Sequence, residues 1–342
     1  RSITQSKLAE LAGVSRATVA RVLNNQGYVS EETRQKILEL IKLTSYKPNK
    51  AGKTLAIQHK KLKIGCILIQ ADNPFYQELN KGILIKAEEY KTYGIEVIVK
   101  NAVFKADEQI KIIDELISNN VNALLIQPII DTRLVNKLEE VSKLNIPIVM
   151  VNTDIPDFQS AFCYVGNDFY LCGKTAANLL ELFTHGSCKI GIITGFFNAK
   201  SHTDRIHGFK DYISAFPDMK IIDIQENHDD EWESYHITKD MLDNHPEIDA
   251  LFVVAGGVYG AGRAVKNYLK DRKITVISFD DVPTTRELVR EGVILATICQ
   301  QPIRQGQLAL EALFNYFVDG TVPVNKRIYT DIQIKLKANI DT

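Results

Sequence analysis

The sequence predicts an all-α helix-turn-helix head with a hinge helix, joined to an α/β body of two doubly wound parallel-sheet lobes. Three observations predict it. In the first sixty residues, apolar side chains recur at helical spacing in three short runs, each with a start or stop signal. From Leu62 onward, continuous Val/Ile/Leu runs alternate with amphipathic segments, the pattern of parallel strands buried on both faces. The charge is also split: residues 1–60 hold 11 Lys+Arg against 4 acids, a net +7, while the 342-residue chain is −1, so the other 282 residues carry −8. A basic head on an acidic body points to a polyanionic partner for the head alone.

The first helix runs from about Thr4, repeats Leu8, Leu11 and Ala12 at helical spacing, and stops at Gly13, the residue best able to take the left-handed turn that ends a helix. Ser15 is placed to cap a second helix, SRATVARVLN, with Val19, Val22 and Leu23 on one side and Arg16, Ala17 and Arg21 on another. A third starts at Ser30, carries Ile37, Leu38, Ile41 and Leu43, and ends about Thr44, before the Tyr46-Lys47-Pro48 break. Two short helices joined by Gly13-Val14-Ser15 match a helix-turn-helix, whose second helix enters the DNA major groove. The following NKAGKTLA is too short to be stable alone, and Gly52 weakens it by about 1 kcal/mol relative to alanine, so it is expected to order only on DNA.

In combination, LAELAGVSRATVARVLN, VSEETRQKI and YKPNKAGKTLA resemble the lactose-repressor (LacI) family of bacterial transcription regulators, and the resemblance runs over nearly the whole chain. In such a complex Arg16 and Arg21 would donate paired hydrogen bonds to guanine, each worth roughly 1–3 kcal/mol of discrimination, while Ala17 offers its methyl. Thr18, Asn24, Tyr28 and Ser30 would position the backbone, with Asn49 also assigned to the DNA side. An alternative for Arg21 is an ion pair with Glu10. The resemblance further implies paired hinges that push a leucine into the minor groove; Leu55 matches, although Gly52 stands where helix formers are usual.

In the body, LKIGCILI, IEVIVK, NALLIQ and IPIVMV read as the strands of one lobe, with helices from Pro74 to about Tyr90, around Ile110 to Ile117, and once more. CKIGIITG, MKIIDIQ, IDALFVV and ITVISFD repeat the pattern in a second lobe. The expected domains are 1–47 for the head, 48–61 for the hinge and linker, and 62–342 for the two lobes. The resemblance implies the fold of type I periplasmic sugar-binding proteins. The chain should then cross between lobes near Gln300–Pro302 and again near Val322–Arg327, giving lobes of 62–160 plus 302–323 and 161–301 plus 324–342.

Doubly wound sheets bind ligands outside the carboxyl ends of their strands, so two facing lobes offer a cleft. Residues just after strand ends are Asn73, Phe75 and Tyr76, an amide and two aromatic faces suited to a sugar ring; Asn152 and Asp154; Arg205; Asp280; and Gln300. Trp232 is either a stacking surface or a helix anchor. Competing roles are helix capping for Asn73 and Asp280 and a surface ion pair to Asp204 or Asp211 for Arg205. These positions resemble those of ribose-binding proteins and their repressor relatives, with two departures: Asn152-Thr153 stands for Asp-Arg, and Ala255-Gly256-Gly257 stands where an Asn-Asp pair is frequent. The cleft therefore loses two or three polar anchors, and the expected ligand is a small sugar or polyol other than ribose.

Other chemistries lack their motifs. Cys66, Cys163, Cys172, Cys188 and Cys299 have no CxxC spacing and read as buried thiols. His228-Asp229-Asp230 lacks a second ligand cluster, no G-x-S-x-G elbow is present, and GGVYGAG is neither G-x-G-x-x-G nor a P-loop. No metal or cofactor is expected. Without a membrane-length apolar stretch or a signal-peptide pattern, the protein is expected in the cytoplasm. The sequence thus reads as a homodimeric repressor on a palindromic operator, responsive to a small molecule; a purine corepressor is the alternative ligand, and a sugar-processing enzyme a remote one.

Overall fold

The computed structural model describes residues 3–23, 28–44, 61–69 and 74–342. The head has three described helices, α1 (Gln5–Ala12), α2 (Arg16–Leu23) and α3 (Glu31–Thr44). Thr4 accepts from the Lys7 N–H and caps α1, and Gly13, at φ 69°, closes it by donating to the carbonyls of Ala9 and Glu10. Ser15 Oγ then accepts from Thr18 N at 3.1 Å, so α2 begins within two residues of that turn. Leu8, Ala9, Ala12, Val19, Val22 and Ile37 form the head's core, with Leu23, Leu40 and Ile41 packed against it.

That core corrects part of the apolar stripe expected from sequence. Leu11 and Leu38 lie near the rim and Leu43 is 81% exposed, because Leu8, Ala9 and Ala12 take the inner face of α1 and Ile37, Leu40 and Ile41 that of α3.

The chain divides into two compact units, residues 1–71, 79–164 and 306–327, and residues 72–78, 165–305 and 328–342. After the head come β1 (Lys63–Ile69), α4 (Pro74–Lys91), β2 (Glu96–Ala102), α5 (Ala106–Ser118), β3 (Ala123–Ile126), α6 (Thr132–Lys143) and β4 (Ile148–Val151). Then follow β5 (Cys163–Gly166), α7 (Phe169–Thr184), β6 (Cys188–Thr194), α8 (Lys200–Ile213), β7 (Met219–Glu226), α9 (Glu231–Asn244) and β8 (Ala250–Val253). The rest is α10 (Val258–Lys266), β9 (Thr275–Phe279), α11 (Pro283–Glu291), β10 (Ala296–Cys299), α12 (Pro302–Asp319), β11 (Arg327–Tyr329) and β12 (Gln333–Leu336). No described helix is long and apolar enough to cross a membrane.

The strands form two six-stranded sheets, ordered β11-β5-β4-β3-β1-β2 and β12-β10-β9-β8-β6-β7. In the first, β1 pairs in parallel with β2 and β3, and β3 with β4; in the second, β6 pairs in parallel with β7 and β8, β8 with β9, and β9 with β10. Only β12, in the described pairings, runs antiparallel, against β10. Each sheet reverses its winding at its second connection, β2 to β3 and β7 to β8, which places switch points between β1 and β3 and between β6 and β8, and ligands of doubly wound sheets gather at such switch points. Strands β1, β3, β4, β8 and β9 are buried almost end to end, as parallel strands covered on both faces require.

The described chain passes between units at 78/79, inside α4, and then at 164/165, inside β5, at 305/306, inside α12, and at 327/328, inside β11. The last three passages each lie four residues beyond the boundary expected from sequence, and the first has no expected counterpart. Side chains of the second unit knot the last three segments together: Gln305 Nε2 donates to Asn167 Oδ1 at 2.6 Å and to the Gln300 carbonyl at 2.8 Å, and Thr330 Oγ1 donates to that carbonyl at 3.1 Å.

Candidate functional site

On the head, α2 presents Arg16, Ala17 and Arg21 to solvent, while Val19 and Val22 from the opposite side fill the core. Glu10 is taken by Lys7 at 2.7 Å and not by Arg21. Thr18 shares a 2.9 Å hydrogen bond with Ser15 Oγ, and Ser30 Oγ donates to Thr33 Oγ1 at 2.8 Å, so both hydroxyls also serve helix starts. Tyr28 is 90% exposed. Asn24, Asn49 and Leu55, with nearly all of the expected hinge, lie outside the described residues.

In the first unit, Asn152 follows β4 in the left-handed region at φ 63°. Its side-chain oxygen accepts from Gln127 Nε2 at 3.4 Å, and Gln127 Oε1 in turn accepts from the Ile69 N–H at the end of β1. Asp154 is buried and paired with Arg327 at 2.6 Å. Its carboxylate is thus committed inside the protein. Arg327 also lies over the ring of Tyr164, whose hydroxyl donates to the Asn152 carbonyl at 3.0 Å. Asn73 lies outside the described residues.

The second unit brings together Arg205 on α8 after β6, Asp280 after β9 and Gln300 after β10, and Tyr76, near the start of α4, interacts electrostatically with Arg205 and Asp280. Arg205, on the second turn of α8, is 4% exposed, and its Nη1 donates to the carbonyl of Val254, the residue after β8, at 2.8 Å. The guanidinium lies 4.1 Å from the centre of the Phe279 ring and 5.1 Å from that of Phe169. Neither Asp204 nor Asp211 takes it: Lys200 holds the first and Tyr170 the second. Asp280, at φ 62° after β9, accepts from Gln300 Nε2 at 2.8 Å, and the N-cap position of α11 is Val282, with no side-chain cap, so Asp280 does not act as a helix cap.

Packing tunes these groups. Burial pushes the Asp280 carboxyl up to about 6, against the pull of Arg205 and the Gln300 hydrogen bond. Burial pushes the Tyr76 phenol up to about 12, with Asp229 and Asp280 adding to it. His202, next to Arg205 on α8, is pushed down to about 3 by burial and by that cation, so it stays neutral, and its Nδ1 accepts from the Phe196 N–H at 3.0 Å.

Phe75 is buried and meets Tyr76 edge-on at 5.6 Å between ring centres. Trp232, on the first turn of α9, is 75% exposed and packs edge-on against His236, a setting unlike the buried rings around Arg205.

One residue absent from the sequence-derived site joins it. Asp229 interacts electrostatically with Arg205 and Asp280, and its Oδ1 accepts from the Gly256 N–H at 2.9 Å. Packing raises its pKa as well. A side chain at Gly256 or Gly195 would collide with this carboxylate. Its signal in the sequence was Gly256 itself: one anchor counted as missing there is a carboxylate delivered from the β7–α9 loop. Gln127, 1% exposed, was also missed, because a glutamine inside a strand end carries no motif.

Residues 64–321 match the family described as periplasmic binding protein domain, and residues 6–49 match bacterial regulatory proteins of the lacI family. The chain belongs to the periplasmic binding protein domain family. With its head, it is a LacI-type DNA-binding regulator. It is similar to a ribose operon repressor of Halalkalibacterium halodurans, 29% identical over 86% of this chain and 84% of that protein. It is also similar to one of Bacillus subtilis, 28% identical over 91% of this chain and 90% of that protein. Among solved structures, a glucose-galactose binding protein from Geobacillus stearothermophilus superposes with a TM-score of 0.73 at 25% identity, over 82% of this chain and 99% of that one.

Proposed function

We propose that the protein is a dimeric cytoplasmic repressor that reads a palindromic operator through Arg16, Ala17 and Arg21 of α2. A small sugar or polyol held by the Arg205 group would change its DNA affinity. The observation that carries the ligand half is the buried polar pair after β6 and β10: Arg205 Nε and Gln300 Oε1 are both buried without a hydrogen-bond partner. Orphaned atoms of this kind cost about 1–3 kcal/mol each unless a ligand or water satisfies them, and a polyhydroxyl ring offers both donors and acceptors. The two ribose operon repressors support a sugar as the effector, and Asn152-Thr153 with Ala255-Gly256-Gly257 argues for one other than ribose. A purine corepressor is less well served, since the guanidinium already covers the Phe279 ring. The protein is read as a regulator without turnover of its ligand, since the two ribose operon repressors it resembles are regulators.

The test is a thermal-shift screen of the full chain against pentoses, hexoses, sugar phosphates, polyols and purines, followed by operator binding with and without each hit. A ligand at 100 times its Kd adds about 2.7 kcal/mol to stability. A sugar or polyol that stabilises the protein and changes operator affinity supports the proposal; stabilisation by purines alone would replace it with the corepressor reading.

A further inference from the structure

The proposal that the Arg205 group binds the effector leaves open what kind of sugar it takes, and the balance of donors, acceptors and charge in the second unit bears on that. Two carboxylates, Asp229 and Asp280, and one cation, Arg205, share the site. Each carboxylate has one oxygen engaged, Asp229 Oδ1 by the Gly256 N–H at 2.9 Å and Asp280 Oδ1 by Gln300 at 2.8 Å; the second oxygen of each takes no hydrogen bond among the described residues. No ion pair joins Arg205 to either of them. The acceptors open to a ligand are therefore the second oxygens of the exposed Asp229 and of Asp280, together with the buried, unpartnered Gln300 Oε1, against the buried, unpartnered Arg205 Nε as a donor.

The neighbouring charged groups do not restore the balance. His202 is neutral through burial and the nearby guanidinium. His228 is held on the outside between Glu226 at 3.3 Å and Glu233 at 3.0 Å. Asp281 is paired with Arg286 at 3.1 Å, and Lys200 is paired with Asp204.

The chain also builds a seat for the Asp229 carboxylate. His228 and Asp229 both hold left-handed backbone, at φ 51° and 58°, a strain that non-glycine residues seldom accept. The Asp229 N–H donates to Asn227 Oδ1 at 3.0 Å, and Asn227 Nδ2 donates to the Gly256 carbonyl at 3.0 Å, locking the β7–α9 loop to the segment after β8. Gly195 and Gly256 leave the space that the carboxylate fills. A loop shaped this closely around one anion, beside a second anion and a single cation, is complementary to a ligand that brings positive charge and several donors.

We propose that the effector is an amino sugar or amino polyol, whose ammonium group is received by Asp229 and Asp280 while Arg205 and Gln300 hold its hydroxyls. An ammonium supplies three donors and one positive charge, and a neutral hydroxyl supplies neither the charge nor the surplus of donors. The inference rests on the sugar reading of the site, and the experiment separates the two. The full chain is titrated calorimetrically at pH 7 with D-glucosamine, D-galactosamine and D-mannosamine, each beside its parent hexose and its N-acetyl derivative, which keeps the nitrogen but loses the charge. At least one amine is expected to bind ten-fold or more tightly than both of its neutral counterparts. Asp229→Asn, which retains an oxygen for the Gly256 N–H but removes the charge, is expected to erase that preference. A neutral sugar that binds with no amine surpassing it, or a preference that survives Asp229→Asn, overturns the amine inference and leaves the sugar-responsive regulator standing. Absence of binding by every sugar, neutral or charged, overturns the sugar reading and this inference with it.

Discussion

Gly13 sits at φ 69° between α1 and α2 with nothing within 4 Å of where a Cβ would stand, so any cost of replacing it comes from backbone conformation alone. Left-handed backbone costs an L-residue roughly 1–2 kcal/mol, and Gly13→Ala is expected to lower operator affinity by about ten-fold through loss of the α1–α2 turn. Ligand binding by the body should not change, which a calorimetric titration of the same variant would check. On α2, Arg16→Ala should relax preference at one operator position, visible as equal binding to all four bases there in a randomised-site selection; unchanged bases would remove Arg16 from the reading set. At Asp280 the folded-state pKa, about 6, lies above the ordinary 3.8, so the folded protein binds the extra proton and is stabilised by it below about pH 4. That stabilisation is lost as pH rises through about 6. Asp280→Asn abolishes the titration, and the variant should therefore gain on the wild type between pH 4 and 6 by at most about 3 kcal/mol, measured as the difference between paired urea melts.

Among elements, the crossing of α7 and α8 sets where Arg205 stands. Gly173 on α7 faces the Arg205 carbonyl and Gly208 on α8 faces the Tyr170 carbonyl, and a Cβ at either would overlap that backbone. Gly173→Ala must push the helices apart, and it is expected to weaken ligand binding at least ten-fold although Gly173 touches no ligand. A titration showing unchanged affinity would mean that the crossing does not position Arg205. The eight long apolar runs were legible as strands because parallel strands buried on both faces need no alternation. The four-residue β5 and β10 and the edge strands β11 and β12 were not read: CYVG and ATIC are too short to carry a period, and RIY and QIKL owe their pairing to neighbours distant in sequence. For the site, strand-end position located Arg205, Asp280 and Gln300, whereas Asp229 was hidden because its place depends on two glycines, Gly195 and Gly256, far apart in the chain. Asp154 lay correctly after a strand, yet its partner, Arg327, is far along the chain and gave no local sign.

For the whole molecule, the knot of Asn167, Gln300, Gln305 and Thr330 joins three of the segments along which the chain leaves one unit for the other, those near residues 165, 305 and 328. Gln305→Leu removes two donated hydrogen bonds at a fully buried position, which should cost about 1–3 kcal/mol and lower the thermal midpoint without altering the head. The five thiols are distributed over the same units, Cys66 and Cys163 in the first, and Cys172, Cys188 and Cys299 in the second. All are buried, and burial raises every one of their pKa values, that of Cys66 to about 12, so none is a thiolate at neutral pH. Each is consequently a clock that starts only when its own surroundings open. An alkylating reagent followed by peptide mapping would time the breathing of either unit separately, and an effector seated at Arg205 should slow the clocks of Cys172 and Cys299 while those of Cys66 and Cys163 keep their pace.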